Sequence, residues 1–141
     1  MIVVDASVAT KWLLNELGTP AALELLNTNH GRLAAPAIVR IEVANAVVRQ
    51  LREGHRGEAD VQALCSNWER MLQDGVVTLT SSEELFDDAL RLAVEIRHTI
   101  PDCLYLALAV KHEVPLITAD TTMYERGLRV HRSITLLGTA A

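Results

Sequence analysis

The sequence predicts an α/β fold built on a parallel sheet, and three observations predict it. Five short apolar runs, several rich in β-branched residues, are separated from one another by segments whose apolar residues recur at helical spacing. Strand then helix, repeated along a chain, requires parallel pairing through right-handed crossovers, with helices on both faces of the sheet. The 141 residues are 50% apolar and 22% charged, which suits one globular domain over 1–141 and excludes a disordered, collagenous or low-complexity chain. An α/β sandwich follows.

The first run, Ile2-Val3-Val4, leads at once into a helical pattern of Val8, Trp12, Leu13 and Leu14. A short helix is predicted over Ala22 to Asn27, then a strand from Arg32 to Ala35. The next helix spans Ala37 to Glu53 and stops at Gly54. Glu58 to Gln73 carries Val61, Leu64, Cys65, Trp68 and Leu72 on one stripe. A strand is expected at Val76 to Leu79. Ser82 to Arg97 follows as a helix, capped by Ser81 or Ser82, with Leu85, Phe86, Ala89, Leu92, Ala93 and Ile96 as its buried side. Pro101 opens a strongly apolar helix, as proline does at a first helical position. Leu116 to Thr118 and Ile134 to Leu137 complete the strands.

Composition also narrows the function. The longest apolar stretch, Cys103 to Val110, is far short of the ~20 residues of a membrane-spanning helix. The opening residues have no basic segment and apolar core that would mark them for export, so a cytoplasmic protein is expected. Cys65 and Cys103 lie in apolar helical patterns without a CxxC partner and read as reduced core thiols. The five histidines, His30, His55, His98, His112 and His131, form no pair at helical spacing and read as surface residues. A formal charge of −5 argues against a protein that grips nucleic acid by bulk positive charge.

Four acids stand out. Asp5 follows the first strand and Asp120 follows the fourth, both where an N-cap carboxylate would stand for purely structural reasons. Asp102 sits in a helical first turn, where acids are common for the same reason. Glu42 lies among apolar neighbours, where a buried carboxylate costs several kcal/mol unless it is paired or bound to a cation. Its alternative is a solvent-facing stripe of Glu42, Asn45 and Arg49. Ligands of parallel α/β sheets bind beyond the carboxyl ends of the strands, where strand order reverses. That topology puts Asp5 and Asp120 on one edge and allows Glu42 and Asp102 to reach it. Four carboxylates gathered there would repel one another, and a hard divalent cation resolves the repulsion. Oxygen ligands without paired His or Cys favour Mg²⁺ or Mn²⁺ over zinc.

Other acid-centred folds fail on spacing. An aspartate-nucleophile phosphatase needs a second Asp where this chain has Ser7, and a response-regulator receiver needs an Asp where the third strand ends in Thr80-Ser81-Ser82. Neither GxxxxGK[ST] nor GxGxxG occurs.

The chain resembles the PIN-domain ribonucleases, in particular their VapC-type toxins. The resemblance rests on Val-Val-Asp5-Ala-Ser7-Val with Lys11-Trp12 and Glu16, Glu42 in an apolar helix, Asp102-Cys-Leu-Tyr105-Leu-Ala-Leu-Ala, and Thr118-Ala-Asp120. It departs from the usual family pattern at Pro101, more often aromatic, and at Cys103, more often Ala. The resemblance implies a five-stranded sheet in order 3-2-1-4-5, with Asp5, Glu42, Asp102 and Asp120 around one or two Mg²⁺ or Mn²⁺ ions. It also implies endoribonuclease activity, a homodimer, and inhibition by a cognate antitoxin. Asp5 and Asp102 are the first choices as direct ligands, while Ser7 and Thr118 are candidates for orienting carboxylates.

For the RNA backbone the candidates are Lys11, Arg40, Arg49, Arg52, Arg56, Arg126, Arg129 and Arg132. Five aromatic residues offer little for a base-stacking platform, so RNA shape and pocket geometry are the expected source of specificity. Trp12, Trp68 and the helix pair from Ala37 to Gln73 offer apolar surface for a dimer, or ordinary core. The alternative function is a PIN-like binding module that acts by complex formation without turnover. A DNA structure-specific nuclease shares the chemistry but normally carries large insertions. With the four acids set aside, acids and bases nearly balance, so the overall charge does not count against RNA.

Overall fold

The structure, a computed structural model, describes residues 1–138; the last three residues of the expected domain lie outside it. Its elements are β1 (Ile2–Val4), α1 (Ala6–Ala9), a 3₁₀ turn (Thr10–Trp12), α2 (Thr19–Thr28), β2 (Leu33–Pro36), α3 (Val39–Arg52), α4 (Glu58–Gln73), β3 (Thr78–Thr80), α5 (Ser82–Ile96), α6 (Ile100–His112), β4 (Leu116–Thr118), α7 (Thr121–Gly127) and β5 (Ile134–Leu136). The five strands form one parallel sheet in the order β3-β2-β1-β4-β5. Val3 of the central strand pairs with Ala34 on one side and Leu116 on the other. Strand order reverses between β1 and β4, which opens a crevice beyond their carboxyl ends.

Several boundaries differ from the sequence reading. The helix expected at Ala22 begins at Thr19, because Gly18, at φ +90°, turns the chain and Pro20 is tolerated in the first turn. The third strand starts at Thr78: the preceding Val77 is buried, but the ladder to β2 engages only from Thr78 onward. Phe86 is 46% exposed rather than buried. The buried stripe of α5 is Leu85, Ala89, Leu92, Ala93 and Ile96, and Phe86 is turned by one residue onto an outer stripe with Leu90 and Val94. Arg97 ends this helix in the left-handed region at φ 55°.

The core is a continuous cluster that includes Val3, Val4, Leu33, Ala34, Leu116 and most of α6 from Cys103 to Ala109. Helix α6 is buried nearly all round, so its hydrophobicity is not confined to one face. Trp12 and Trp68 lie with ring centroids 6.5 Å apart, and their indole N–H groups donate to the carbonyls of Ala22 and Arg40. Trp68 is wholly buried in the core, and Trp12 is partly buried and packs against it. Both cysteines are free. Cys103 is buried and burial pushes its thiol up to about 11, which keeps it protonated, while Cys65 is half-buried. Among the described residues no helix is long and apolar enough to cross a membrane.

Candidate active site

Asp5 leaves β1 in extended conformation and caps α1, its Oδ1 accepting the Val8 N–H at 3.3 Å. The structural role expected of it is therefore real. Only 6% of the residue is exposed, however, and two hydroxyls converge on the carboxylate. Ser7 donates to Oδ1 at 2.5 Å and Thr118 donates to Oδ2. Each hydroxyl in turn accepts a backbone N–H from the β4–α7 connection: Ala119 to Ser7 at 2.9 Å, and Asp120 to Thr118 at 3.0 Å. One carboxylate thereby ties β1, α1 and the segment carrying Asp120 into a single unit. Ser7 and Thr118, the candidates for orienting carboxylates, both hydrogen-bond to Asp5. Burial raises the Asp5 carboxyl to about 6 against the lowering effect of these hydrogen bonds, with a smaller upward push from Asp102.

Glu42 stands in the first turn of α3 and is half-buried. It does not pair with Arg49. Its Oε1 accepts the phenol of Tyr105 at 2.6 Å, and Tyr105 is almost fully buried in α6. Burial raises the Glu42 carboxyl, the phenol opposes this, and Asp102 adds to the rise. Burial and the three acids Glu42, Asp5 and Asp102 push the Tyr105 phenol up, so it stays protonated as a donor. Asp102 is in the first turn of α6, behind the Thr99 cap. His98 Nε2 lies 2.8 Å from its Oδ2, off the line of a hydrogen bond, and among the described residues it has no hydrogen-bond partner. Asp120 caps α7, accepting the N–H groups of Thr122 and Met123.

A cleft of about 570 Å³ opens here, lined by Ser7, Lys11, Glu16, Glu42, Asn45, Arg49, Glu53 and Asp120 among others. The Glu42, Asn45 and Arg49 stripe thus exists, and it faces the cleft. Asp102 is near enough to act electrostatically on both Asp5 and Glu42, while Glu42 and Asp120 share the cleft wall, which Asp5 and Asp102 do not line. The four sidechains do not close into a coordination shell: among the described residues no three acidic, His or Cys groups are placed to hold an ion together. Each carboxylate is instead turned onto a partner of its own. The donor chemistry, all carboxylate oxygen and mutually repelling, suits a hard divalent ion.

Two residues were not singled out by sequence reasoning. Tyr105 holds Glu42, and no local pattern ties position 42 to 105. His98 corrects the expectation of surface histidines: its side chain is 8% exposed. The sequence did hold a signal for it, since His98 and Asp102 stand four apart, although the helix begins only at Ile100. Of the proposed cationic contacts, Lys11 and Arg49 line the cleft. Arg40 is committed to Glu69 at 2.7 Å, and Arg126 donates to the carbonyl of Arg97.

A parallel sheet in this order, with Asp5 and Asp120 at the ends of two adjacent strands and an open cleft beside its switch point, defines the α/β class of the protein. The PIN domain family matches residues 2–127, and the chain belongs to that family. Among solved structures it is similar to PAE2754 from Pyrobaculum aerophilum, with a TM-score of 0.72 and 22% identity over 98% of this chain and 90% of that one. It is also similar to VapC20 of Mycobacterium tuberculosis, described as a sarcin-ricin loop cleaving toxin, with a TM-score of 0.68 and 16% identity over 90% and 95% of the two chains. A toxin-antitoxin complex from Klebsiella pneumoniae aligns with a TM-score of 0.61 and 15% identity over 96% of each chain. These likenesses bear out the fold. No curated protein matches the sequence.

Proposed function

We propose that this chain is a Mg²⁺- or Mn²⁺-dependent endoribonuclease toxin of the VapC type, one PIN domain over 1–141, acting in the cytoplasm as a homodimer and held in check by a cognate antitoxin. The observation that carries the reading is the grouping of carboxylates at the switch point: burial, and after it the charge of Asp102, raises both Asp5 and Glu42. Family membership supports it, since PIN domains are generally nucleases and generally use divalent metals. The toxin and antitoxin neighbours support the biological role.

Asp5 and Asp102 would hold the ion directly, with Glu42 and Asp120 completing its surroundings or positioning the attacking water. When bound, a divalent ion supplies Lewis-acid activation of water and of a phosphodiester oxygen. The chain's own contribution is orientation and charge. Ser7 and Thr118 fix the rotation of the Asp5 carboxylate, Tyr105 holds Glu42, and His98 stands behind Asp102. Binding would require Glu42 and Asp102 to share their oxygens between these partners and the ion.

Purified protein should cleave RNA with Mg²⁺ or Mn²⁺, stop in EDTA, and stop again as Asp5→Asn or Asp102→Asn. Metal-independent cleavage that survives both substitutions would sink the mechanism. Mapping RNA 5′ ends after brief induction, against Asp5→Asn, identifies the substrate. Each of the four carboxylates is turned onto a partner within the protein, which favours one second reading, a binding module without turnover. Titration calorimetry separates the two: no divalent binding at millimolar metal, with tight binding of a partner, selects the module.

A further inference from the structure

Lys11 is built into the cleft more firmly than a surface lysine. It lies in the 3₁₀ turn after α1, and Trp12 anchors that turn to α2 through the Ala22 carbonyl at 2.9 Å. The lysine stem runs across Gly18, where a Cβ would meet its Cδ and Cε at 3.3 Å. Gly18 also has φ +90°, so any other residue there is both strained and in the way. The Lys11 side chain is 14% exposed, and its ammonium reaches Glu16 at 3.1 Å. Glu16 is held by its backbone, whose N–H donates to Thr19 Oγ1 at 3.0 Å, but its side chain is 40% exposed, so solvent can take up its carboxylate when the ammonium is engaged elsewhere.

The surroundings make a purely structural pair a poor account of this arrangement. The cleft wall carries Glu16, Glu42, Glu53 and Asp120 but only two cations, Lys11 and Arg49. A phosphodiester entering it meets four acids, and an ammonium whose stem is already ordered can receive it with little further loss of side-chain entropy. Resting on the function proposed above, we propose that Lys11 holds a phosphate of the RNA strand in the cleft. Glu16 occupies the ammonium in the free protein as an intramolecular competitor that the phosphate displaces. Lys11 is a positioning residue and takes no part in bond breaking.

The test follows a fluorescein-labelled single-stranded RNA by anisotropy, in EDTA to prevent cleavage, across roughly 25 to 200 mM KCl. The same variants are then assayed for KM and kcat with Mg²⁺. Lys11→Met keeps the apolar stem over Gly18, and its melting curve verifies the fold. It should weaken binding about tenfold, reduce the salt slope by about one, and raise KM more than it lowers kcat. Lys11→Arg should restore binding to within about threefold, and Glu16→Gln should tighten it a few-fold. A purely structural lysine would not move the salt slope. RNA cleavage with KM and slope unchanged in Lys11→Met, or no recovery by Lys11→Arg, overturns the role of Lys11 alone. Wild-type protein that neither binds nor cleaves RNA overturns the nuclease function and this proposal with it.

Discussion

The two strand-to-helix junctions at the switch point, β1 to α1 and β4 to α7, use the same local device. In each a strand ends, an Asp turns the chain, and its carboxylate caps the helix that follows. Their surroundings differ. Asp5 is enclosed by β4 and its hydroxyls and is 6% exposed, whereas Asp120 is half-buried on the cleft wall. Asp120 serves its helix as an ordinary cap. Asp5 serves its helix while carrying a charge that burial disfavours, with a carboxyl raised to about 6. A cap that costs stability when ionised is accounted for by the second task proposed above, a place in a divalent-metal site.

Exchanging the two aspartates for asparagine is the sharpest way to break this comparison. Asp5→Asn should lower RNA cleavage by well over the ~10–100-fold typical of losing an outer partner, with Asp120→Asn less severe. Equal losses in steady-state assays would mean that burial does not distinguish the junctions. Next comes pH. The folded pKa of Asp5 lies above its usual 3.8, so the native state holds more protons between about 4 and 6. The stability it contributes is complete below that window and is lost as pH rises through it. In EDTA the unfolding free energy from denaturant titration should fall across this range by an amount on the order of 2–3 kcal/mol, and Asp5→Asn should flatten the dependence. Mg²⁺ at neutral pH should recover part of the loss. A wild-type profile that stays flat in EDTA removes the claim that the charge is costly.

Smaller effects test the supports. Thr118→Val deletes the donor to Asp5 and orphans the Asp120 N–H, and should cost about 1–3 kcal/mol in chemical denaturation. Asp120→Ala removes the cap of α7 and should cost about 1 kcal/mol of stability, besides its effect on activity. Tyr105→Phe keeps the buried ring and frees Glu42, so activity should drop about tenfold with a nearly unchanged melting temperature. A large thermal shift with intact activity would make the phenol structural.

Much of this was legible in the sequence because it is local. Ile2-Val3-Val4 alternates with helical periodicity, and helix α4 runs from Glu58 to Gln73 as its stripe predicts. The four acids could be chosen because three open helices beside strand ends or apolar runs, and Glu42 conflicts with its apolar surroundings. Phe86 was misplaced because one residue is only 100° of a helix, and a stripe read from hydrophobicity alone cannot say which edge meets the neighbour. Glu42 remained open between a salt bridge to Arg49 and a buried site because both partners fit helical spacing; the partner it has, Tyr105, comes from another element.

By itself the sequence determined the parallel α/β class, the acids available to one strand edge, and the absence of an alternative thiol or paired-histidine chemistry. These are properties of residue type and short-range period, which neighbours in the chain decide. Tertiary structure alone decided that Asp5 is buried while Asp120 is not, that Glu42 belongs to Tyr105, and that Lys11 is pinned across Gly18 into the cleft. Each of these depends on desolvation and on contacts between separate segments. Residue type sets which charges exist, and packing sets which of them pay to be there.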